Sequence, residues 1–443
     1  MALRGGPAVS MAVGTVAVGA AGYGFVSLTG HVLAPVDAAA LASVYLLINI
    51  IGPGLFFALE QETSRATSVR LAVYGTLGPV VRNGLLLAGG VLAVVLAALF
   101  ALSGPLTERV LAGQTGLFLA VVLSVVTSAM VYLTRGLLGG LRRFPSYAAT
   151  LTVEGLARLL PCVALTVFGG ATGLAYALVF AAGSAVGALA GLPGVRRGAP
   201  DPATAPDPTT PDLSAPAEVP ASVSLGAMAR GLGLLLGGTL LMQAVANLAP
   251  IVVTARLGTA GAATAAAFAA AFVLVRVPLF LFAPVQAMLL PDLTRAAAAG
   301  DFAAVRARVR TIVLAVLAIG LPSAALAALV GPQAARLLFG AKIDLSGSMV
   351  GLLGLGTVAL MIAQALQPGL VAIGRHRHVT IAWGLSTVTL VAMLVLPGSP
   401  VAIAAFGQVV ASSVVAVGMA VALRAGLGSR ARSAPSLGPE PVR

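Results

Sequence analysis

Twelve predominantly apolar runs divide this sequence, at 8–30, 41–59, 80–103, 116–138, 147–169, 171–192, 226–254, 262–290, 309–331, 348–371, 379–397 and 401–424. A helix that crosses a bilayer needs roughly 20 such residues. Across the 443 residues 59% are hydrophobic and 9% charged, whereas a soluble domain carries about 25% charged residues. No soluble fold hides that much apolar surface. The pattern predicts an all-α integral membrane protein of about 12 transmembrane helices.

The gap between the sixth and seventh runs has a different composition. Residues 193–224 hold eight prolines, three aspartates and Glu218, which predicts a disordered linker. The expected organisation is an N-terminal six-helix half at 1–192, the linker, a C-terminal six-helix half at 225–424 and a disordered tail at 425–443. Arg4 precedes an apolar stretch from about Pro7 to Leu28, as in a signal peptide. It is read here as a retained first helix.

The formal net charge is +13, but the basic residues sit between apolar runs and no aromatic platform interleaves them, so nucleic acid is not an expected partner. Even-numbered loops carry Arg65, Arg70, Arg82, Arg142, Arg143, Arg196, Arg197, Arg295, Arg306, Arg308, Arg310, Arg375 and Arg377. Odd-numbered loops carry Arg109, Arg256, Arg336 and Lys342. The positive-inside rule then puts both termini and the linker in the cytoplasm, in a bacterial inner membrane.

The two halves show traces of a repeat. A shift of about 230 residues lays Glu62-Thr63-Ser64-Arg65-Ala66 on Asp292-Leu293-Thr294-Arg295-Ala296, each closing a span that carries a proline, Pro53 or Pro284. Six spans per half make the repeats parallel, with a central cavity expected between two halves that rock to open it to either side.

Ionised groups within spans are expensive and therefore informative. Glu154 and Arg158 are four residues apart on one helical face and can pair. They either tie helices together or present Arg158 to an anionic substrate group, with Glu154 tuning it. Arg276 has no acidic neighbour on its own helix and either snorkels to the outer interface or lines the cavity. Arg65 and Arg135 close spans, as the positive-inside rule requires, or form a basic entrance for a phosphate. Glu60 and Glu62 are expected to balance Arg65. Pro53, Pro250, Pro278, Pro284, Pro322 and Pro368 are expected to bend or break their helices.

Nothing in the sequence points to catalysis. There is no GxxxxGK[ST] loop, His31, His376 and His378 do not form a metal cluster, and the single cysteine, Cys162, excludes an internal disulfide. No cofactor is called for.

Several segments carry a family resemblance. They are Phe56 through Arg65, Arg135-Gly136-Leu137-Leu138-Gly139-Gly140-Leu141-Arg142-Arg143-Phe144 leading to Tyr147 and Glu154-Gly155-Leu156-Ala157-Arg158, then Leu289 through Arg295, and Gly369 through Arg375. With these the chain resembles the polysaccharide-biosynthesis flippases of the multidrug/oligosaccharidyl-lipid/polysaccharide exporter superfamily. The resemblance implies transport of an undecaprenyl-diphosphate-linked oligosaccharide from the cytoplasmic to the outer leaflet by alternating access. It implies a cationic cavity, carried over to Arg158 and Arg276, with Arg65 and Arg135 as further candidates. Glycosyltransferases and a polysaccharide polymerase are the implied partners, beside membrane lipids. A diphosphate suits arginine, whose planar fork binds it through two parallel hydrogen bonds. A cation-coupled multidrug antiporter of the same fold, a peptidoglycan-precursor flippase and a non-transporting scaffold for glycan-assembly enzymes remain as alternatives.

Overall fold

A computed structural model describes residues 7–74, 77–197, 224–279, 293, 296–297 and 299–433. All regular elements among them are helical. Among the described residues twelve helices are long and apolar enough to span a membrane, near the positions expected from the sequence. Many of their large apolar side chains, such as Val94, Leu329 and Val388, are exposed. That arrangement is costly in water but suits a protein whose surroundings are lipid tails. The chain is a multi-pass membrane protein.

The helices are α1 (Pro7–Val32), α2 (Pro35–Ile51), α3 (Phe57–Tyr74), α4 (Gly78–Ala101), α5 (Ser103–Arg109), α6 (Thr115–Gly140), α7 (Phe144–Phe168) and α8 (Gly173–Arg196). They continue with α9 (Leu225–Leu257), α10 (Ala262–Leu274), α11 (Phe302–Phe339), α12 (Gly347–Ala372), α13 (His376–Leu394) and α14 (Pro400–Ser433). Two edges differ from expectation. Pro193 lies inside α8, which runs to Arg196, and α14 continues past Arg424 to Ser433. The rest of the expected linker, the end of the tail, Pro284 and Arg295 lie outside the described residues.

Of the prolines expected to deform helices, two do so visibly. Around Pro53 the chain takes a π-helical turn, Gly52–Phe56, so that α2 and α3 form one continuous helix across it. Within this turn the carbonyl of Gly54 accepts from the Thr239 hydroxyl at 2.6 Å, a side-chain contact of the kind that supports irregular helix in a membrane. Before Pro278, α10 stops at Leu274, and Val275 and Arg276 form a turn closed by Arg276 N–H to the Val273 carbonyl at 3.1 Å. Proline has no N–H to continue the ladder, and helical residues resume at 277–279. Pro250, Pro322 and Pro368 are accommodated within continuous helices.

Contacts divide the chain into two compact units. The first comprises Met1–Ala270 and Ala335–Asp344, the second Ala271–Ala334 and Leu345–Arg443. This partition differs from the six-plus-six division of the sequence because α9 packs on α2, the π-helical turn and α3. Within the first unit α1 packs on α7, α7 on α8, α8 on α6 and α6 on α3. Small residues permit the α3–α6 approach: a Cβ added at Gly136 would lie 2.8 Å from the Glu60 carbonyl oxygen. Phe25, Tyr45 and Phe180 fill the space between α1, α2 and α8, with ring centroids of Phe25 and Phe180 4.5 Å apart. In the second unit α14 packs on α12 and α13, while Ile312 and Val316 of α11 meet Met361 and Ala365 of α12.

Candidate functional site

The first unit buries a network of ionised side chains at the junction of α6, α7 and α8. Glu154 of α7 is its centre. One carboxylate oxygen accepts from Arg158 at 2.7 Å and from the Ser184 hydroxyl at 2.7 Å. The other accepts from Arg135 of α6. Arg135 also donates through Nε to the Thr150 hydroxyl at 2.9 Å, and Thr150 donates to the Tyr147 carbonyl at 2.7 Å. Arg158 donates to Ser184 at 2.7 Å, and its guanidinium lies 4.2 Å from the centre of the Phe180 ring, within cation–π range. The side chains of Arg135, Glu154 and Arg158 are 5%, 4% and 11% exposed.

Three helices converge this closely because α8 lacks side chains where the charges lie. A Cβ at Gly183 would sit 2.3 Å from Arg158 Cγ, and one at Gly187 would sit 2.9 Å from Glu154 Cβ. Gly183, Gly187 and Gly191 follow at four-residue intervals and keep one face of α8 open, a spacing legible in the sequence.

Glu60 enters the same region by another route. It is buried in α3 and accepts from the Tyr147 hydroxyl at 2.5 Å. The expectation that Glu60 balances Arg65 is corrected here. Glu62 alone does so, through two hydrogen bonds of 2.5 and 2.9 Å. The helix geometry explains this, since Glu62 and Arg65 are three residues apart and share a face, whereas Glu60 projects toward α7. Tyr147 and Glu60 were not among the residues singled out as a site.

Of the five candidates from sequence, the structure gathers Arg135, Glu154 and Arg158 into one network. Arg65 is apart from it, with its side chain 47% exposed and engaged with Glu62. Arg276 belongs to the second unit. It is buried at the break after α10, and its guanidinium lies 3.9 Å from the centre of the Phe272 ring. It is not extended into water.

The depth of the network follows from helix geometry. At about 1.5 Å per residue, Glu154 is roughly 15 Å from the start of α7 and Arg135 roughly 8 Å from the end of α6. The charges therefore lie inside candidate membrane-spanning helices, toward the ends that carry the arginine-rich loops.

Against solved structures the whole chain finds counterparts. An inward-facing multidrug resistance MATE family transporter of the MOP superfamily aligns with a TM-score of 0.71 at 14% identity, over 96% of this chain and 99% of the other. The fold is that of the MATE transporters. VcmN, a MATE transporter of Vibrio cholerae, aligns with a TM-score of 0.62 at 19% identity, over 95% and 96% of the two chains. A MOP superfamily transporter from Pyrococcus furiosus aligns with a TM-score of 0.63 at 14% identity, over 97% and 98%. No family model matches the sequence, and neither does any curated protein. At these identities the MATE likeness is one of architecture.

Proposed function

We propose that this protein is a membrane transporter working by alternating access, and that its cargo is an undecaprenyl-diphosphate-linked oligosaccharide carried from the cytoplasmic to the outer leaflet. The observation that carries this reading is the state of Glu154. Both of its oxygens are held by guanidinium groups, and two arginines share this one carboxylate. A carboxylate so occupied offers little to a cationic drug. The arginines, in contrast, offer a diphosphate what Glu154 offers them: an anionic, forked acceptor for charge-assisted hydrogen bonds. Arg276, buried just past the end of α10 with its guanidinium over the Phe272 ring, adds cationic character in the second unit.

Two features of the related architectures support the reading. Transporters of this fold are known in inward-facing and outward-facing conformations. The Pyrococcus furiosus relative has a binding pocket of reverse polarity, which suggests a different function for it. Polysaccharide polymerase and glycosyltransferases are the proposed partners, and the cytoplasmic membrane, with both termini inside, the proposed location.

The test is deletion of the gene, followed by analysis of lipid-linked glycans in inverted and right-side-out vesicles. Accumulation of a diphosphate-linked oligosaccharide on the cytoplasmic leaflet, reversed by the intact protein and not by Arg158→Ala, is expected. An unchanged lipid-linked pool removes the proposal. It would favour a cation-coupled antiporter, for which Glu60, buried and engaged by a phenol rather than a guanidinium, supplies the required carboxylate.

A further inference from the structure

Three helices of the second unit carry exposed arginines to one end of it. Gly369 of α12 sits between α11 and α14, where a Cβ would lie 3.2 Å from Val309 Cγ2 and 3.4 Å from Leu423 Cδ2. The turn before α13 reaches the same level, since Arg375 Nη1 donates to the Ala422 carbonyl at 3.3 Å. Arg310 of α11, Arg377 of α13 and Arg424 of α14 therefore share this end, and all three are exposed. The opposite connection, residues 395–399 between α13 and α14, has no charged side chain. Among the described residues of this unit the one acid is Asp301. Its carboxylate accepts from the Ala304 N–H at 2.8 Å and so caps α11.

Each of these arginines ends an apolar stripe. On α13, Arg377 is followed at four-residue intervals by Ile381 and Leu385, both exposed. On α14, Val417 and Val421 are exposed, and Arg424 comes one turn later. On α11, Arg310 precedes the exposed Leu314 by four residues, and Leu321 lies seven further on. Residues at these spacings share a helical face. All three helices are long and apolar enough to span a membrane, so the stripes face lipid chains. Each arginine stands about 5–6 Å further along its helix, where chains give way to headgroups.

The positive-inside rule fixes the side of the membrane on which arginine collects, but not the face of the helix. Helix stability does not call for Arg377 either. It lies in the first turn of α13, where the helix dipole disfavours a cation.

We propose that Arg310, Arg377 and Arg424 form a rim that binds the phosphate groups of anionic phospholipids, with the lipid chains along the three stripes. A guanidinium matches a phosphate through two parallel hydrogen bonds. The stripe beside each arginine favours a lipid over a soluble acidic segment, which would leave it unused. The net charge of the rim favours an anionic lipid over a zwitterionic one, because Asp301 is engaged in its cap and offers little to an ammonium headgroup. The inference rests on the chain being a membrane protein and not on its cargo. With the termini in the cytoplasm, the rim meets the inner leaflet.

Native mass spectrometry of the full-length protein in detergent, with equimolar phosphatidylglycerol and phosphatidylcholine of the same chains, counts the lipids retained. The parent is expected to retain phosphatidylglycerol preferentially. Replacing the three arginines together by glutamine should lower that preference, by about fivefold for each arginine. Replacing them together by lysine should keep most of it, which separates loss of charge from loss of fold. The charge-matched control Arg109→Gln/Arg256→Gln/Lys342→Gln takes three cations from the first unit and should leave the preference unchanged. Equal retention of both lipids by the parent, a preference that survives the three glutamines, or an equal fall in the control would overturn the proposal. So would a polyprenyl diphosphate that displaces phosphatidylglycerol and is lost with the same three arginines, since the rim would then belong to the cargo. Because the lipids are counted without cargo, a failure of the flippase reading leaves this result standing.

Discussion

The hydroxyl of Tyr147, on α7, donates to the carboxylate of Glu60, on α3, at 2.5 Å. This bond joins two helices 87 residues apart in sequence and gives a buried carboxylate its donor. Tyr147→Phe removes the donor and leaves the acceptor in place. The expected cost is about 1–3 kcal/mol, read as a lower unfolding temperature in detergent. Glu60→Gln in the same background should recover part of the loss, because an amide tolerates burial better than an ion does. Additive effects of the two changes would show that the bond contributes nothing.

Glu154 serves two guanidinium groups, so its removal should be worse than the removal of either arginine. Glu154→Ala is expected to destabilise the protein by about 3–5 kcal/mol, the cost of leaving buried charge uncompensated. Arg135→Gln or Arg158→Gln alone leaves Glu154 one cationic partner. Ranking the three by thermal unfolding decides the matter, and equal losses would contradict the central role of Glu154.

The open face of α8 makes a steric prediction. Gly187→Leu drives atoms into Glu154 and the Thr150 carbonyl, which a Cβ alone would approach at 2.9 and 3.0 Å. Loss of folded protein is expected on size-exclusion chromatography. Gly89→Ala is the control. Nothing lies within 4 Å of a Cβ there, and replacing a helical glycine by alanine should stabilise by up to about 1 kcal/mol.

How much of this was legible in the sequence depends on distance along the chain. The spans were readable because about 20 apolar residues in a row have one use. The Glu154–Arg158 pair was readable because i and i+4 share a helical face whatever the tertiary fold. The junction of Arg135 with Glu154 depends on how α6 lies against α7, which local periodicity does not encode. A trace of it exists in Gly183, Gly187 and Gly191, whose spacing marks a face of α8 built for close approach. Glu60 was misassigned because a nearby arginine is the cheaper guess, and Tyr147 is far away in sequence. For Pro53 the sequence indicated a disturbance without indicating its form.

That form has its own signature in solution. Thr239→Val takes the donor from the Gly54 carbonyl. Faster amide hydrogen exchange across residues 50–58 is expected, with exchange in α6 unchanged. Protection equal to that of the parent would mean that the π-helical turn holds without the hydroxyl.

The π-helical turn also sets the azimuth of everything after it. A π turn accommodates one residue more than an α turn, and each residue of an α-helix advances by about 100°. The face that α2 presents before Gly52 is therefore out of phase with the face that α3 presents after Phe56. That surplus residue lies between α2 and Glu60, whose carboxylate meets Tyr147 of α7. Removing one residue from Gly52–Phe56 would let the helix run straight, yet it would swing both carboxylates by about a quarter turn. The turn acts as a phase shifter: the length of one short segment decides which side of a long rod carries its charge.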